Sequence, residues 1–491
     1  MDSLDLKSEK SILNKLACDA ADEKLLLFIG TGFSKAVVHS SGWSIDPAVP
    51  SWTDLLYELA QRMGLKPDEY VLPANSKYGE SRAGEDPCVW KDLPNIDYAC
   101  PTIATRMCKD WESLPRNAGK NGDSFMKELI ASLSVWVPMK DMREKLCKVL
   151  TDINPIGIVT TNYDMVLEAI LADNGQYLAR EDLFRGRNDE RIPIWHVHGS
   201  IQDSKSIVVT TGDYQRFFRP DDYVQRKISM LLHEYTTLFV GYSMSDPNIA
   251  TAVDWARHVF KHEVQQENDV VQIRLVYGQD KGVVRQDVTT KSMYYINTMD
   301  AIAFLEKLQA NVSIEMDKRR KEDEKLSKLG KILLTLSEQQ NVVQAQDGSE
   351  FESIIEKITK AAFRKNNPRF ILKLIPYIQG CLANARARSR IDDNFEAYAD
   401  WLFILLVILR KLPIDKMPPS LFALLGEELN AVLSNTGYER GQSFLANDLW
   451  LRESNTIPTE VLKAFLEYAE RLQLRSLSEK LKPVLNPPKR H

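Results

Sequence analysis

Short, unbroken runs of apolar residues constrain the fold of this chain more than any other feature. Strands that are buried on both faces have continuous apolar sequences, and they occur in parallel sheets covered by helices. Amphipathic stretches at 52–63 and 165–172 indicate helices between such strands. The sequence therefore predicts an α/β fold with a Rossmann-like, doubly wound parallel sheet. Its strands are expected at residues 25–29, 156–160, 192–197, 207–210, 237–240 and 271–277.

The chain is too long for one core, because its 491 residues exceed the roughly 150 of an average domain. We predict a first domain over residues 1–310, interrupted at about 66–124 by a segment rich in Pro, Gly, Asn and charge. This insertion is expected to be largely helical, either as a lid or binding element or as a decoration without a chemical role. A mixed-charge helix and a polar linker are predicted at 311–350. An all-helical C-terminal domain is predicted at 351–485, where apolar residues recur at helical spacing.

Composition excludes several classes of protein. Lys and Arg number 63 against 68 Asp and Glu, so the net charge of −5 argues against a protein that coats nucleic acid. The six cysteines include no C-x-x-C pair, which disfavours a four-thiolate zinc site. The first residues lack the apolar core of a signal peptide, and the longest apolar run, 401–409, is about half of a membrane span. We therefore expect a cytoplasmic protein without a membrane segment.

The sequence GTGFSK, at residues 30–35, directly follows the first predicted strand. Gly30 and Gly32 would let the backbone approach a pyrophosphate, and the next helix would offer its unpaired N–H groups to the anion. Alone this signal is weak, because the third glycine of the usual dinucleotide motif is missing and no P-loop pattern is present.

Two further loops carry polar side chains after predicted strands. In TTNYD, Asn162 and Asp164 supply an amide and a carboxylate that suit ribose hydroxyls or a water, although an Asx turn that caps the next helix is the simpler explanation of this motif alone. In HVHG, His196 and His198 share one face of a strand, and His198 precedes Gly199 at the strand's end. A histidine there is a candidate general base or, more simply, a satisfied core residue.

The last such loop, GYSMSDPN at residues 241–248, is dense in small polar groups. Gly241, Ser243 and Asp246 suit a phosphate or a ribose, or simply cap a helix. His258 and His262 stand four residues apart and could bind a metal, but no third ligand is near them in the sequence.

Taken together, GTGFS, TTNYD, a strand-end HG and GYSMSD resemble the sirtuin-like NAD-binding domains of bacterial anti-phage defence proteins. The resemblance covers residues from about 20 to 300, and the order of the motifs makes the set more specific than any one of them. It implies that Asn162 and Asp164 hold the nicotinamide ribose and the attacking water, and that His198 is the base. The remaining NAD contacts that it implies are Gly30, Thr31, Gly32, Phe33, Ser34, Thr161 and Gly199, with Gly241, Ser243 and Asp246 on the adenosine side.

The chain departs from the sirtuin deacylases in one respect. Those enzymes carry a four-cysteine zinc module near the Asn motif, whereas this chain has no cysteine between Cys147 and Cys381. The departure disfavours deacylation and favours water as the acceptor, so no zinc is expected and NAD is the substrate.

The expected function is therefore hydrolysis of NAD to nicotinamide and ADP-ribose by a triggered anti-phage effector that depletes cellular NAD, as in abortive infection. A non-catalytic module that binds NAD and signals through its helical domain is the alternative, and an NAD-dependent deacylase or ADP-ribosyl transferase is a further one. The apolar helical surface of the C-terminal domain and the net charge of −5 predict a homo-oligomer. The resemblance implies an anti-phage trigger, such as a phage-derived activator, and for some members a HerA-like ATPase partner. Neither a membrane nor sequence-specific nucleic acid is an expected partner.

Overall fold

The chain divides into two compact units, Met1–Asp317 and Lys318–His491. The computed structural model describes residues 6–38, 49–70, 96–179, 190–217, 223–242, 246–258, 271–277, 282–287, 293–298, 300–338, 347–363, 368–389 and 395–486.

The described part of the first unit contains one eight-stranded sheet with helices on both faces. Its strands are β1 (Leu25–Ile29), β2 (Gly157–Thr160), β3 (Gly175–Leu178), β4 (Ile192–His196), β5 (Thr236–Val240), β6 (Gln272–Tyr277), β7 (Val284–Gln286) and β8 (Met293–Thr298). Its helices are α1 (Glu9–Ala21), α2 (Thr31–Val38), α3 (Trp52–Arg62), α4 (Ile96–Ser113), α5 (Gly122–Leu133), α6 (Lys140–Ile153), α7 (Val166–Leu171), α8 (Thr211–Phe217), α9 (Tyr223–Glu234) and α10 (Pro247–His258).

The order of the strands is β3-β4-β2-β1-β5-β6-β8-β7, and every neighbouring pair is parallel except β7 with β8. Strand β1 lies at the centre and is buried throughout. Leu25 and Leu27 face a core shared with α1, α6 and α7, whereas Leu26 and Phe28 face a core shared with α9 and α10. Because β2 and β5 flank β1 on opposite sides, the loops after these three strands open a crevice at their carboxyl ends.

The predicted α/β fold class is confirmed, but the strand predicted at 207–210 is wrong. That segment is irregular, although Ile207, Val208 and Val209 are buried. A side chain accepts from two of its backbone donors: the N–H groups of Val209 and Thr210 both donate to Asp213 Oδ2. The other two N–H groups donate to the backbone carbonyls of Ser204 and His198. The segment is apolar because it fills the space between two cores, with Val208 in one and its two neighbours in the other.

The described part of the predicted insertion is helical and packs on its neighbours. Helix α4 contacts α3 and α5. Leu56 of α3, Met107 of α4 and Met126 of α5 are fully buried in one cluster, and Trp111 stacks on Phe125 at a centroid distance of 4.6 Å. Residues 71–95 lie outside the described residues. The helices thus form a small core of their own. Two residues of this core, Trp52 and Leu55, also line the crevice.

The second unit is built from helices around its own core. After α11 (Ala301–Glu338), the described helices are α12 (Asp347–Phe363), α13 (Pro368–Ser389), α14 (Phe395–Lys411), α15 (Pro419–Ser434), α16 (Phe444–Glu453), α17 (Thr459–Leu472) and α18 (Arg475–Leu485). Helix α14 is buried on most of its surface and packs against α13, α15 and α16. Residues 339–346 of the predicted linker lie outside the described residues. None of the helices seen in the described ranges is both long and apolar enough to cross a bilayer.

Candidate active site

The loops after β1, β2 and β5 meet at the crevice and enclose a cavity of about 290 Å³. Its polar wall comes from these loops. Its other wall comes from the start of α3 and the segment after α5, which contribute two tryptophans. The cavity is lined by Thr31, Gly32, Lys35, Val49, Pro50, Ser51, Trp52, Leu55, Ser134, Trp136, Thr161, Asn162, Tyr163, Asp164, Tyr214, Gly241, Tyr242 and Asp246.

The loops after β1 and β5 touch through their backbones. The N–H of Gly32 donates to Gly241 O at 2.8 Å. Gly241 has a φ of +63°, and a Cβ at this position would lie 2.2 Å from the backbone nitrogen of Phe33. Only glycine satisfies both conditions, so the loop after β5 requires Gly241. Phe33 itself is fully buried in the core and does not line the cavity, although it was predicted to contact NAD.

The side chain of Asn162 is held in one orientation by the loop after β1. Thr31 Oγ1 donates to Asn162 Oδ1 at 3.2 Å, and Asn162 Nδ2 donates to Ser34 Oγ at 3.1 Å. Ser34 Oγ in turn donates to Asp164 Oδ2 at 3.0 Å. Because a carboxylate only accepts hydrogen bonds, this chain has a single direction, and it orients the amide of Asn162 at the cavity wall.

Asp164 both lines the cavity and bonds to the first residue of a helix. Its Oδ1 accepts the N–H of Val166 at 3.0 Å, so the Asx turn considered from the sequence is present at the start of α7. The side chain is almost fully buried, and this burial raises the pKa of Asp164 from 3.8 to about 6, against the lowering effects of the Val166 N–H, the Ser34 hydroxyl and His196. At neutral pH the group is mostly a buried carboxylate.

The two histidines of HVHG have different partners. His196, at the end of β4, is fully buried and contacts Asn162 O through Nδ1 at 3.1 Å and Glu168 Oε1 through Nε2 at 2.8 Å. The backbone N–H of the same Asn162 donates to Thr160 Oγ1. His196 and Thr160 therefore fix the backbone of Asn162, and His196 does not line the cavity.

The prediction that His198 shares a strand face with His196 is wrong, because β4 ends at His196 and His198 lies in the turn that follows, behind the cavity wall. His198 is 1% exposed, and its Nδ1 lies 3.5 Å from Asp246 Oδ2. Its ring meets the edge of the Tyr214 ring at a centroid distance of 5.5 Å. Asp246 and Tyr214 line the cavity, and His198 is not among its lining residues. Gly199 has a φ of +76° and packs on the backbone of Ser206, so it closes a turn and does not open a path for a ligand.

The carboxylate of Asp246 is held from three directions. Its Oδ1 accepts the N–H groups of Asn248 at 2.9 Å and Ile249 at 3.3 Å, which caps α10. Its Oδ2 accepts the Tyr214 hydroxyl at 3.1 Å. Burial first, and the charge of Asp246 second, raise the pKa of Tyr214 well above its usual value, so this hydroxyl remains a donor at neutral pH. Ser243, predicted beside Asp246, lies outside the described residues.

Several cavity residues were not predicted from the sequence. Lys35 adds a positive charge to the wall near Thr31, and Tyr163 donates its hydroxyl to Val208 O at 2.7 Å. Trp52 and Trp136 form the apolar side. Of these, the position of Lys35 beside the glycine-rich loop was the one signal available in the sequence. The predicted contacts Gly30 and Ser34 lie beneath the wall and support it through the hydrogen bonds of their loop.

In the ranges that the structure describes, no three or more His, Cys, Asp or Glu side chains are grouped as a metal site. His258 is the last residue of α10, and His262 lies outside the described residues.

The fold and the site define a known class of domain: residues 157–286 match the model of the SIR2-like domain. Among curated proteins, the chain is 22% identical over 274 residues to Defense-associated sirtuin 2 of Bacillus subtilis. The aligned region covers 53% of this chain and 22% of that protein. It is 26% identical over 212 residues to NAD(+) hydrolase ThsA of Enterococcus faecium, covering 42% of this chain and 38% of that protein. The resemblance to sirtuin-like proteins of anti-phage defence is thus confirmed, while the match spans well under half the length of either relative.

Proposed function

We propose that the protein hydrolyses NAD to nicotinamide and ADP-ribose and that it acts as a triggered effector of anti-phage defence. The SIR2-like domain and the names of its relatives support this proposal. The observation that carries it is the fixed amide of Asn162, which stands at a cavity beside the carboxylates of Asp164 and Asp246.

The chemistry of the bond explains why such a site suits hydrolysis. Nicotinamide leaves NAD with the electron pair of its C–N bond, so positive charge develops on the ribose in the transition state. The buried carboxylate of Asp164 can stabilise that charge, because it acts at short range in a site of low dielectric. Asn162 can orient the attacking water or a ribose hydroxyl, which converts a random encounter into a positioned one. We assign removal of the water's proton to His198, whose Nδ1 lies 3.5 Å from Asp246 Oδ2 in the cavity wall.

Regulation is part of the proposal, because constant loss of NAD would kill the cell. We propose that the chain forms a homo-oligomer and that cleavage depends on this assembly, on a phage-derived activator or on a HerA-like ATPase partner. The helical second unit, whose large core is independent of the sheet, is the candidate for these contacts.

The test is to incubate the purified chain with NAD, alone and with candidate partners, and to follow NAD, nicotinamide and ADP-ribose by chromatography. Asn162→Ala and His198→Ala should each lower cleavage at least about 100-fold, because positioning and general-base losses have this size. Asn311→Ala and His233→Ala are the matched controls, since both residues lie outside the cavity and each contacts a backbone carbonyl.

The outcomes separate the readings of this site. Nicotinamide and ADP-ribose in equal amounts support hydrolysis. Tight NAD binding without nicotinamide release, under every condition, would favour the non-catalytic module. Nicotinamide release that requires an acetylated peptide would favour the deacylase.

A further inference from the structure

We propose that Lys127 and Asp213 are positioning residues for the cleavage of NAD. Their ion pair fixes segment 207–210, and this segment holds the two loops that carry Asn162 and His198. This inference rests on the proposed function, in which His198 remains the base. It gives the small helical core formed by α3, α4 and α5 a part in the chemistry.

Val208 joins the loops of the site through its backbone. Its N–H donates to the backbone oxygen of His198 at 3.0 Å. Its carbonyl accepts the hydroxyl of Tyr163, the neighbour of Asn162, at 2.7 Å. The two loops also bond to each other, because the N–H of Ile201 donates to the backbone oxygen of Tyr163 at 2.9 Å. A shift of Val208 therefore moves the base and the loop of the oriented amide together.

Asp213 fixes this segment from the start of α8. Its Oδ2 accepts the N–H groups of Val209 and Thr210 at 3.1 Å each, and the hydroxyl of Thr210 at 2.9 Å. A carboxylate at this position commonly accepts the N–H of the residue before the helix, whereas the bond from Val209 reaches one residue further. The next residue, Tyr214, meets the ring of His198. The start of α8 therefore places both the backbone and the ring neighbour of the base.

The helical core holds Asp213 and the start of α8 from two of its helices. Lys127 of α5 is 7% exposed, and its Nζ lies 2.8 Å from Asp213 Oδ1 and 3.0 Å from Asp123 Oδ2. Burial raises the pKa of Asp213, but Lys127 and the backbone N–H groups outweigh it and lower this pKa below its usual value. From α4, Thr105 Oγ1 accepts the N–H of Thr211 at 2.9 Å. Asp213 is thus a charged group held between α5 and segment 207–210.

Breaking the ion pair should change the rate and not the binding of NAD. Neither Lys127 nor Asp213 lines the cavity, so Lys127→Met removes no contact to the substrate. It lets segment 207–210 and His198 shift, and a shift of about 1 Å at the reacting atoms costs about 100-fold in rate. We therefore expect Lys127→Met to lower kcat at least about 10-fold, with KM within about 3-fold of the wild type.

Lys15→Met is the matched control, because it breaks another buried ion pair of the same unit. Lys15 is 8% exposed, and its Nζ lies 2.5 Å from Asp19 Oδ2 on α1. Asp19 also bonds to the side chain of Thr236, the first residue of β5, so this pair lies at the end of the sheet opposite the cavity. Lys15→Met should destabilise the unit but leave kcat within about 2-fold of the wild type.

A double-mutant cycle shows whether Lys127 acts through Asp213. Asp213→Asn keeps an oxygen for the N–H groups before α8 but ends the charge pair. Lys127→Met should therefore cost less than about 3-fold in kcat in the Asp213→Asn background. An equal cost in both backgrounds, a kcat of Lys127→Met no lower than that of Lys15→Met, or a loss carried wholly by KM would overturn the inference and leave the proposed function intact.

Hydrogen exchange of peptides from residues 197–208, followed by mass spectrometry, supplies a readout that does not need activity. Lys127→Met should raise the exchange rate of these amides at least about 5-fold, whereas Lys15→Met should leave it unchanged. If the wild type cleaves no NAD under any condition, the proposed function fails and this measurement decides the inference. Faster exchange in Lys127→Met alone would support the link from the helical core to the turn of His198, and equal exchange in the two variants would refute it.

Discussion

Ser34→Ala should destabilise the first unit, and more so at high pH than at low pH. Ser34 is 1% exposed and joins two buried groups, since it donates to Asp164 Oδ2 and accepts from Asn162 Nδ2. The alanine leaves both groups without this partner. Each buried polar group that loses its hydrogen bond costs about 1–3 kcal/mol, so the expected loss for the two groups is about 2–6 kcal/mol in the free energy of unfolding.

The pH dependence follows from Asp164. Burial raises the pKa of its carboxyl from 3.8 to about 6 in the folded chain, so the folded state binds more protons between these values. The free energy of unfolding therefore falls as the pH rises from about 4 to about 6, by about 3 kcal/mol in all. The Ser34 hydroxyl lowers this pKa, and its removal extends the fall to higher pH. Because bonds to charged groups are the stronger ones, the loss at pH 8 should exceed the loss at pH 5 by about 1 kcal/mol.

Hydrogen exchange of peptides from β1 and β2, followed by mass spectrometry, measures the opening of this unit separately from the helical one. Ser132→Ala is the matched control, because Ser132 is exposed and donates only to the backbone of its own helix in the contact seen. A loss in Ser34→Ala no larger than that in the control would refute the reasoning on the buried chain of hydrogen bonds. Equal losses at pH 5 and pH 8 would refute the part that concerns the charge of Asp164.

Three further results are expected. NAD cleavage should fall as the pH drops through about 6, because Asp164 becomes protonated, and Asp164→Asn should be slow at every pH without this fall; a wild-type rate that is flat from pH 5 to pH 8 would contradict it. EDTA should leave fold and cleavage unchanged; stoichiometric zinc by elemental analysis, with loss of activity on its removal, would contradict this. The full chain should be a homo-oligomer by light scattering, and a chain that ends near residue 340 should be smaller and inactive or deregulated; an unchanged size together with unchanged, trigger-dependent cleavage would assign the helical unit another task.

The sequence predicted the central strands because they are buried on both faces. β1 and β5 read as unbroken apolar runs for this reason. β3, β7 and β8 escaped prediction, because they lie toward the sheet edges and many of their residues are partly exposed. The error at 207–210 has the opposite cause: burial made the segment apolar, but the Asp213 side chain and two loop carbonyls accept its hydrogen bonds in place of a neighbouring strand.

The sequence could predict that the loops after the parallel strands meet, but it could not predict how deeply each side chain is buried. Residues at strand ends of one parallel sheet meet at one edge, which brings Asn162 to Thr31 across 131 residues of sequence. The burial of His198 depends on Tyr214 of α8 and on Asp246, which directly precedes α10, and no motif connects either residue to the HVHG segment. Trp52 and Trp136 reach the cavity through the packing of α3 and α5, a contact that local pattern does not encode.

The backbone contact between the loops after β1 and β5 also determines on which side of the cavity residues can be substituted. A side chain added at Gly30, Gly32 or Gly241 would meet atoms of the opposite loop at 2.2–2.9 Å, so mutation is blocked on this side. Trp52 and Trp136 stand on the other side and belong to no strand. Trp52 packs on the small helical core, whereas Trp136 packs on the core beside β1. A substitution at Trp52 can therefore change the shape of the cavity with the least disturbance of the sheet and of the hydrogen bonds around Asn162.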